Sequence, residues 1–401
     1  MPSSTPRTVA FLLGSGVSIP AGMPSTKKIT ERILSGEGVM RHTDGNYYLG
    51  KPLYAHVGIP DEYIPRVVTF LKRLKVEIDL YYLKEMGRST NYEDLYYASS
   101  QVCDSESGEY DNPVLKPFID KIVSDIQPLL VCTENEIKRV WQTHKLAEEA
   151  TNYVRDVVWH LLSEPPERLD HLGLLVDACR DTTLSNLDIF TLNHDTVLEK
   201  CLWQSDVQFI DGFGESVNHV RYWNPELLDR EASKIRLLKL HGSVEWLRLR
   251  PIGEDWRSDS IGIPLNADRW HTKSPKGQDQ RPVDGRPVLL VGTFNKMLQY
   301  AAGIFADLHH SFRRSLRRTQ DLIVCGYGFG DKGINTHIAE WSASSAHRKI
   351  TIVHPDPEEL RTGARGAIRN KWDEWISQDR LRIIPKTVQH TSWQEITDGD
   401  S

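Results

Sequence analysis

Hydrophobic and polar positions follow two different periods along this chain. Residues 9–13, Val-Ala-Phe-Leu-Leu, form a short unbroken apolar run, the pattern of a strand buried on both faces. Similar runs recur at 188–192, 207–210, 236–240, 287–291, 322–325 and 350–353. Most stop at glycine or a small polar residue, and several are followed by helical spacing: a helix starting near Pro24 and Ser25, one ending at Leu202, and others over 297–316 and 332–342. Residues 61–185 read differently. Ile64, Val67, Val68, Leu71, Leu74 and Ile78 recur at helical intervals, and Asn91 opens another helix. Residues 113–132 predict a third helix and 169–184 a fifth, while Thr133 and Glu136, at capping-box spacing, predict a long fourth one running to Leu162. Residues 36–60 predict a loop with a short hairpin, and the polar, Pro/Gly-rich stretch 251–286 a long surface loop.

Strands alternating with helices predict an α/β fold, a Rossmann-like parallel sheet with a large all-helical insertion. The expected boundaries are 1–60 with 186–360 for the Rossmann-like domain, 61–185 for the insertion, and 361–401 for an extension packed on the core with a frayed tail.

Composition narrows the class. The chain has 401 residues, 39% hydrophobic and 26% charged, as expected of a globular protein. A net charge of −6 gives no global attraction to nucleic acid. The basic clusters Arg66/Lys72/Arg73/Lys75 and Arg313/Arg314/Arg317/Arg318 lack interleaved aromatics and read as solvated faces or docking points for a partner. The five cysteines are scattered, with no C-x-x-C pair, so the expectation is a reduced, cytoplasmic protein without a zinc ribbon. No run approaches a membrane span, and the apolar run after Arg7 is too short for a signal peptide.

The chemistry concentrates where the strands end, the place at which open parallel sheets bind ligands. Gly14, Ser15, Gly16, Ser18, Gly22 and Pro24 follow the first run and make a strand–glycine loop–helix sequence, the form of a phosphate cradle. The spacing departs from the ordinary dinucleotide fingerprint, and a plain glycine turn is the alternative. Asn193-His194-Asp195, His241-Gly242, Gly326-Tyr327-Gly328 and His354-Pro355-Asp356 end four later runs. Asn193 and Asp195 also fit a turn and a helix cap. His241 fits a hydrogen-bonded strand-end histidine, while His194 is expected to point away and His309-His310 to lie on the surface.

Taken in this order, the glycine loop, the N-x-D segment, the His-Gly pair and the second glycine loop resemble the sirtuin family. The resemblance covers 9–25 and about 186–356 but not the helical block. Sirtuin deacylases carry paired cysteines after the His-Gly segment, whereas residues 243–286 here contain none. With the Asn91-Tyr92-Glu93-Asp94 and Gly326–Asp331 segments, the chain is similar instead to the sirtuin-like NAD hydrolases of bacterial anti-phage defence, in particular to stand-alone effectors encoded beside a HerA-like ATPase.

That resemblance implies NAD+ as substrate and cleavage of the nicotinamide–ribose bond, without zinc. It implies catalytic roles for Asn193, Asp195 and His241. Asn193 would place water or the ribose hydroxyls, Asp195 would bind the carboxamide, and His241 would act as base through a ribose hydroxyl. Nucleotide contacts would come from Gly14, Ser15, Gly16, Ser18, Gly22, Pro24, Gly326, Tyr327, Gly328 and Asp356, with the amides of the first loop on the pyrophosphate. Glu93 and Asp94 would brace the helical block. A homo-oligomer and a HerA-like ATPase partner are expected by the same inference. A protein deacylase, a non-catalytic NAD-binding module and an NAD cyclase are the competing readings.

Overall fold

The computed structural model describes residues 7–42, 44–50, 62–106, 108, 113–134, 137–229, 234–266 and 268–398. Residues 51–61 and Glu136, on which parts of the loop and capping expectations fall, and the last three residues of the tail lie outside the described residues.

Two compact units form. The first comprises residues 1–23, 165–290 and 297–401. Its centre is a six-stranded parallel sheet: β1 (Arg7–Leu13), β2 (Leu184–Thr191), β3 (Ile235–Lys239), β4 (Asp321–Cys325), β5 (Lys349–Val353) and β6 (Leu381–Ile384). The spatial order is β6-β5-β4-β1-β2-β3, so the winding reverses between β1 and β4. This is the doubly wound order of dinucleotide-binding sheets, whose ligand crevice opens where the order reverses. The apolar runs are unbroken because both faces are covered. Val9, Phe11 and Leu13 enter one apolar cluster with Leu175, Val197 and Ile323, while Ala10 and Leu12 enter another with Phe190, Phe312 and Val324.

The expected surface loop at 251–286 is structured instead. Strands Ser260–Pro264, Thr272–Lys273 and Asp279–Leu289 join Gly242–Pro251, Val220–Trp223 and Phe213–Val217 in a six-stranded antiparallel sheet. The reason lies in which residues turn inward. In Asp279–Leu289 they are Gln280 and Pro282 and then, past a shift in register, Gly285, Pro287 and Leu289, a broken alternation of polar, Pro and Gly residues that a hydrophobicity reading does not register. The short strand expected at 207–210 reduces to a single bridge from Ile210 to Arg236.

The second unit comprises residues 24–164 and 291–296, so it takes in 24–60, while 165–185 belong with the sheet unit. Its helices are Thr26–Ser35, Tyr63–Met86, Tyr92–Glu106, Leu115–Ile126 and Thr143–Leu162. Ser25 caps the first, as its position suggests, by accepting from the Lys28 amide. Thr133 does not start the long helix. It lies in the hairpin Val131–Glu134/Ile137–Val140, and the helix begins ten residues later at Thr143. Asn91 and Asp94 cap Tyr92–Glu106 reciprocally, and Asp94 receives both terminal nitrogens of Arg88, at 2.7 and 3.0 Å. Within the same unit, Glu93 pairs with Lys296 at 2.6 Å. The basic run 66–75 is largely neutralised by Glu62, Glu77 and Asp79, one turn away on the same helix. No helix among the described residues is long and apolar enough to cross a membrane.

Candidate active site

The two glycine loops meet where the winding reverses. A short 3-10 turn, Ser15–Val17, follows β1, and the Gly326 loop follows β4. Gly14 N–H donates to the Cys325 carbonyl and Gly16 N–H to that of Gly326, both at 3.0 Å. A Cβ on Gly14 would stand 2.5 Å from the Gly326 oxygen, and one on Gly326, at φ +63, would stand 2.6 Å from the Val17 nitrogen. Only glycines permit this backbone-on-backbone approach. The contact corrects one expectation: the Gly14 and Gly16 amides, expected on a pyrophosphate, are donated to the neighbouring loop. Ser15 is exposed, as are Ile19 and Gly22 further along the first loop. Gly328, exposed and with nothing within 4 Å of a Cβ position, leaves room above the second. Gly22, at φ +91, closes the second turn after β1, and Pro24 begins the helical unit. Asp356, after β5, is exposed and caps the helix Pro357–Gly363 through the Glu359 amide.

Asn193 follows β2 and is buried. Its Nδ2 donates to the Gly14 carbonyl at 3.0 Å and to Ser18 Oγ at 2.9 Å. The side chain therefore ties the first loop to the end of β2, and Ser18 serves as its acceptor. Asp195 Oδ1 accepts from the Val197 amide at 3.0 Å, starting the helix Val197–Gln204. The helix N-cap is Thr196, so Asp195 makes a turn contact ahead of the helix rather than its cap, and that bond uses one of its two carboxylate oxygens.

His241 stands just past β3, buried to 4% exposure. Gly242 beside it has φ +82, and a Cβ there would lie 2.2 Å from the Val288 carbonyl, so the pairing of histidine with glycine has a steric cause. His241 Nε2 lies 2.9 Å from Tyr300 Oη and 3.3 Å from Asp331 Oδ2. Two expectations about histidines are corrected. His194 does not point away: its ring centroid lies 6.3 Å from that of His241. Nor is His309 on the surface, although His310 is exposed; burial, then the charges of His241 and His337, push His309 down to about 3, so it is neutral.

The strand ends Gly14, Asn193, His241 and Gly326 thus gather on one edge of one sheet. Residues 188–376 match the SIR2-like domain family. The match spans Asn193, Asp195, His241, the second glycine loop and Asp356, and it begins after the first glycine loop. No curated protein matches the chain. Among solved structures, a Sir2 homologue–NAD complex is similar over 93% of this chain and 89% of its own, at 14% identity and TM-score 0.32. A Sir2 bound to acetylated peptide is similar over 98% and 94%, at 12% identity and TM-score 0.35.

Three residues within the matched stretch, at these strand ends, escaped the sequence reading. Tyr300 and Asp331 contact His241, and Lys239, two residues before it on the same strand, is buried. Lys239 reaches Glu199 at 2.9 Å and the Asp195 carbonyl. The available signal was Asp331 at the end of the Gly-Tyr-Gly-Phe-Gly-Asp run; Tyr300 carried none. Among the described residues no group of His, Cys, Asp or Glu is arranged to hold a metal ion.

Proposed function

We propose that the chain is an NAD+ hydrolase that cleaves the nicotinamide–ribose bond to give nicotinamide and ADP-ribose. The observation carrying this reading is the interlocked Gly14/Gly16/Gly326 loops at the winding reversal, with Asn193 and His241 supplied by the next two strands. In this reading nicotinamide departs with the C1′–N bond electrons and becomes neutral, leaving an oxocarbenium-like ribose. Water adds to C1′ and its surplus proton goes to the ribose oxygen that His241 has deprotonated, so one proton leaves overall, through His241. His241 takes a proton from a ribose hydroxyl, as a base working near neutral pH.

The Asn193 amide nitrogen is committed to the loop, so its Oδ1 is the atom that orients water or a ribose hydroxyl. The second Asp195 oxygen accepts from the carboxamide. Ser15, Ser18, Gly22, Pro24, Tyr327, Gly328 and Asp356 complete the nucleotide contacts, and water is the acceptor because no paired cysteines build an acyl-peptide groove. The resemblance to defence effectors extends the reading to cytoplasmic NAD depletion during anti-phage defence, in a homo-oligomer governed by a HerA-like ATPase. An exposed apolar stripe in the helical unit, Val76, Leu80 and Leu83 at helical spacing, supports an assembly surface.

The test is NAD consumption by the purified chain, alone and with its co-encoded ATPase, with products resolved by chromatography. Nicotinamide and ADP-ribose are expected, with turnover falling at least about a hundredfold in His241→Ala. A cyclised product would replace hydrolysis with cyclisation. Tight NAD binding without turnover in either preparation would make the chain a binding module.

A further inference from the structure

Tyr300 is held from three sides. Its ring stacks on His309 at 3.7 Å and lies nearly parallel to His241 at 5.9 Å. A Cβ on Gly333 would come within 2.7 Å of its Cε2, so the ring also lies against the start of the helix Lys332–Ala343. Its hydroxyl is 2.5 Å from Asp331 Oδ2 and 2.9 Å from His241 Nε2. Asp331 is itself oriented, because its other oxygen caps that helix by accepting from the Ile334 amide at 3.0 Å.

A tyrosine hydroxyl has one proton. At 2.5 Å from a carboxylate oxygen, that proton belongs to the bond with Asp331. Toward His241 the phenol oxygen can then only accept. The second group facing Nε2, Asp331 Oδ2 at 3.3 Å, is also an acceptor. An unprotonated Nε2 would face two sets of lone pairs. We propose that Asp331 and Tyr300 are positioning residues that hold His241 as its Nε2–H tautomer, which makes Nδ1 the nitrogen that takes the proton. Among the described residues, titratable groups facing this assembly include His194 beside His241, His309 beneath Tyr300, His337 beside His309, and Tyr327, whose hydroxyl meets the Asp331 backbone at 3.2 and 3.3 Å. When Nδ1 takes a proton from a ribose hydroxyl, the imidazolium keeps its Nε2–H against Tyr300 and the Asp331 carboxylate, which stabilise the new charge. The logic is that of a base fixed by a third group.

The kinetic part of this inference rests on the hydrolase reading; the tautomer part does not. Ring-15N-labelled histidine in the full chain, without NAD and at about pH 9 where an unperturbed imidazole is neutral, reports the tautomer, with the His241 signals assigned by their loss in His241→Gln. The wild type is expected to carry its proton on Nε2. In Asp331→Asn the amide no longer draws the phenol proton, so the phenol can donate to Nε2 and the tautomer moves toward Nδ1–H. Asparagine caps a helix as well as aspartate does, so the fold is kept. The turnover number of this variant should fall at least about tenfold, with KM for NAD within about twofold. Tyr300→Phe keeps the ring stack and leaves the 3.3 Å carboxylate contact, so it should lose less turnover and give a mixed tautomer. A wild type carrying its proton on Nδ1, or an Asp331→Asn variant whose tautomer is unchanged, overturns the proposal. If the wild type does not turn over NAD, either alone or with the ATPase, the hydrolase reading falls while the tautomer signals still decide this one.

Discussion

Two buried glutamates, one in each unit, meet opposite environments. Glu149, on the helix Thr143–Leu162, receives Arg41 at 3.0 and 3.1 Å, the Tyr47 hydroxyl at 2.6 Å and Lys145 at 3.1 Å. Burial alone would push its carboxylate up. The hydrogen bonds from Arg41 and Tyr47 and the charges of Arg41 and Lys145 outweigh burial and hold it below the usual range. Glu199, on the helix after Asn193-His194-Asp195, has Lys239 on one oxygen, and its other oxygen has no partner among the described residues. Here burial wins over Lys239 and the carboxyl is pushed up. Glu149 is thus a buried charge met by donors on both oxygens. Glu199, four residues after Asp195 in the sheet unit, keeps one oxygen unmet among the described residues.

The largest effect that tests this contrast is Glu149→Ala, which strands Arg41 and Lys145. It should cost about 3–5 kcal/mol in denaturant unfolding. The sign of its pH dependence follows from the lowered value. The wild-type contribution is fully present above the unfolded-state value, about 4.3, and is lost as pH falls through the lower folded value. The cost of the substitution should therefore shrink in acid. A cost that persists unchanged in acid would mean that packing, not charge, holds this site.

Gly326→Ala comes next. The new Cβ would overlap the Val17 nitrogen and the Gly16 backbone at a positive φ, so no side-chain movement can make room. A loss of about 1–3 kcal/mol is expected in thermal unfolding, and, on the proposed hydrolase reading, loss of NAD affinity with it. A variant as stable as wild type and still binding NAD would show that the loops do not need each other. The first loop would then be only a turn.

How much of this was legible in the sequence follows from what each residue faces. Val9–Leu13 announced β1 because both faces are covered, and Gly14, Asn193, His241 and Gly326 were legible because each directly follows an apolar run. The strands within 251–286 were hidden because Gln280, Pro282 and Gly285 fill the inward positions. Thr133 misled because capping-box spacing is local and does not exclude a hairpin. Tyr300 was invisible because it lies in a turn between helices, about sixty residues from His241. Only the tertiary fold sets its hydroxyl between an imidazole and a carboxylate. His309 likewise sits among arginines in a helix that reads as polar, yet it faces inward onto Tyr300.

The smallest effect is the sharpest test of the two-glutamate contrast. Glu199→Gln keeps the side-chain shape and can still accept from Lys239, so a change of about 1 kcal/mol or less is expected near neutral pH. Its pH dependence should run opposite to that of Glu149→Ala. A carboxyl whose folded value is raised binds its proton more tightly in the fold. It stabilises the wild type at low pH, and that contribution is lost as pH rises from the unfolded-state value through the folded one. Relative to wild type, the glutamine variant should therefore lose most in acid and recover as pH rises, while Glu149→Ala loses least in acid. Two unfolding series over the same pH range decide the matter. Slopes of opposite sign uphold the distinction between a charge enclosed for stability and one held unmet at the sheet's edge. Slopes of the same sign would mean that Lys239 satisfies Glu199 as fully as Arg41 and Tyr47 satisfy Glu149.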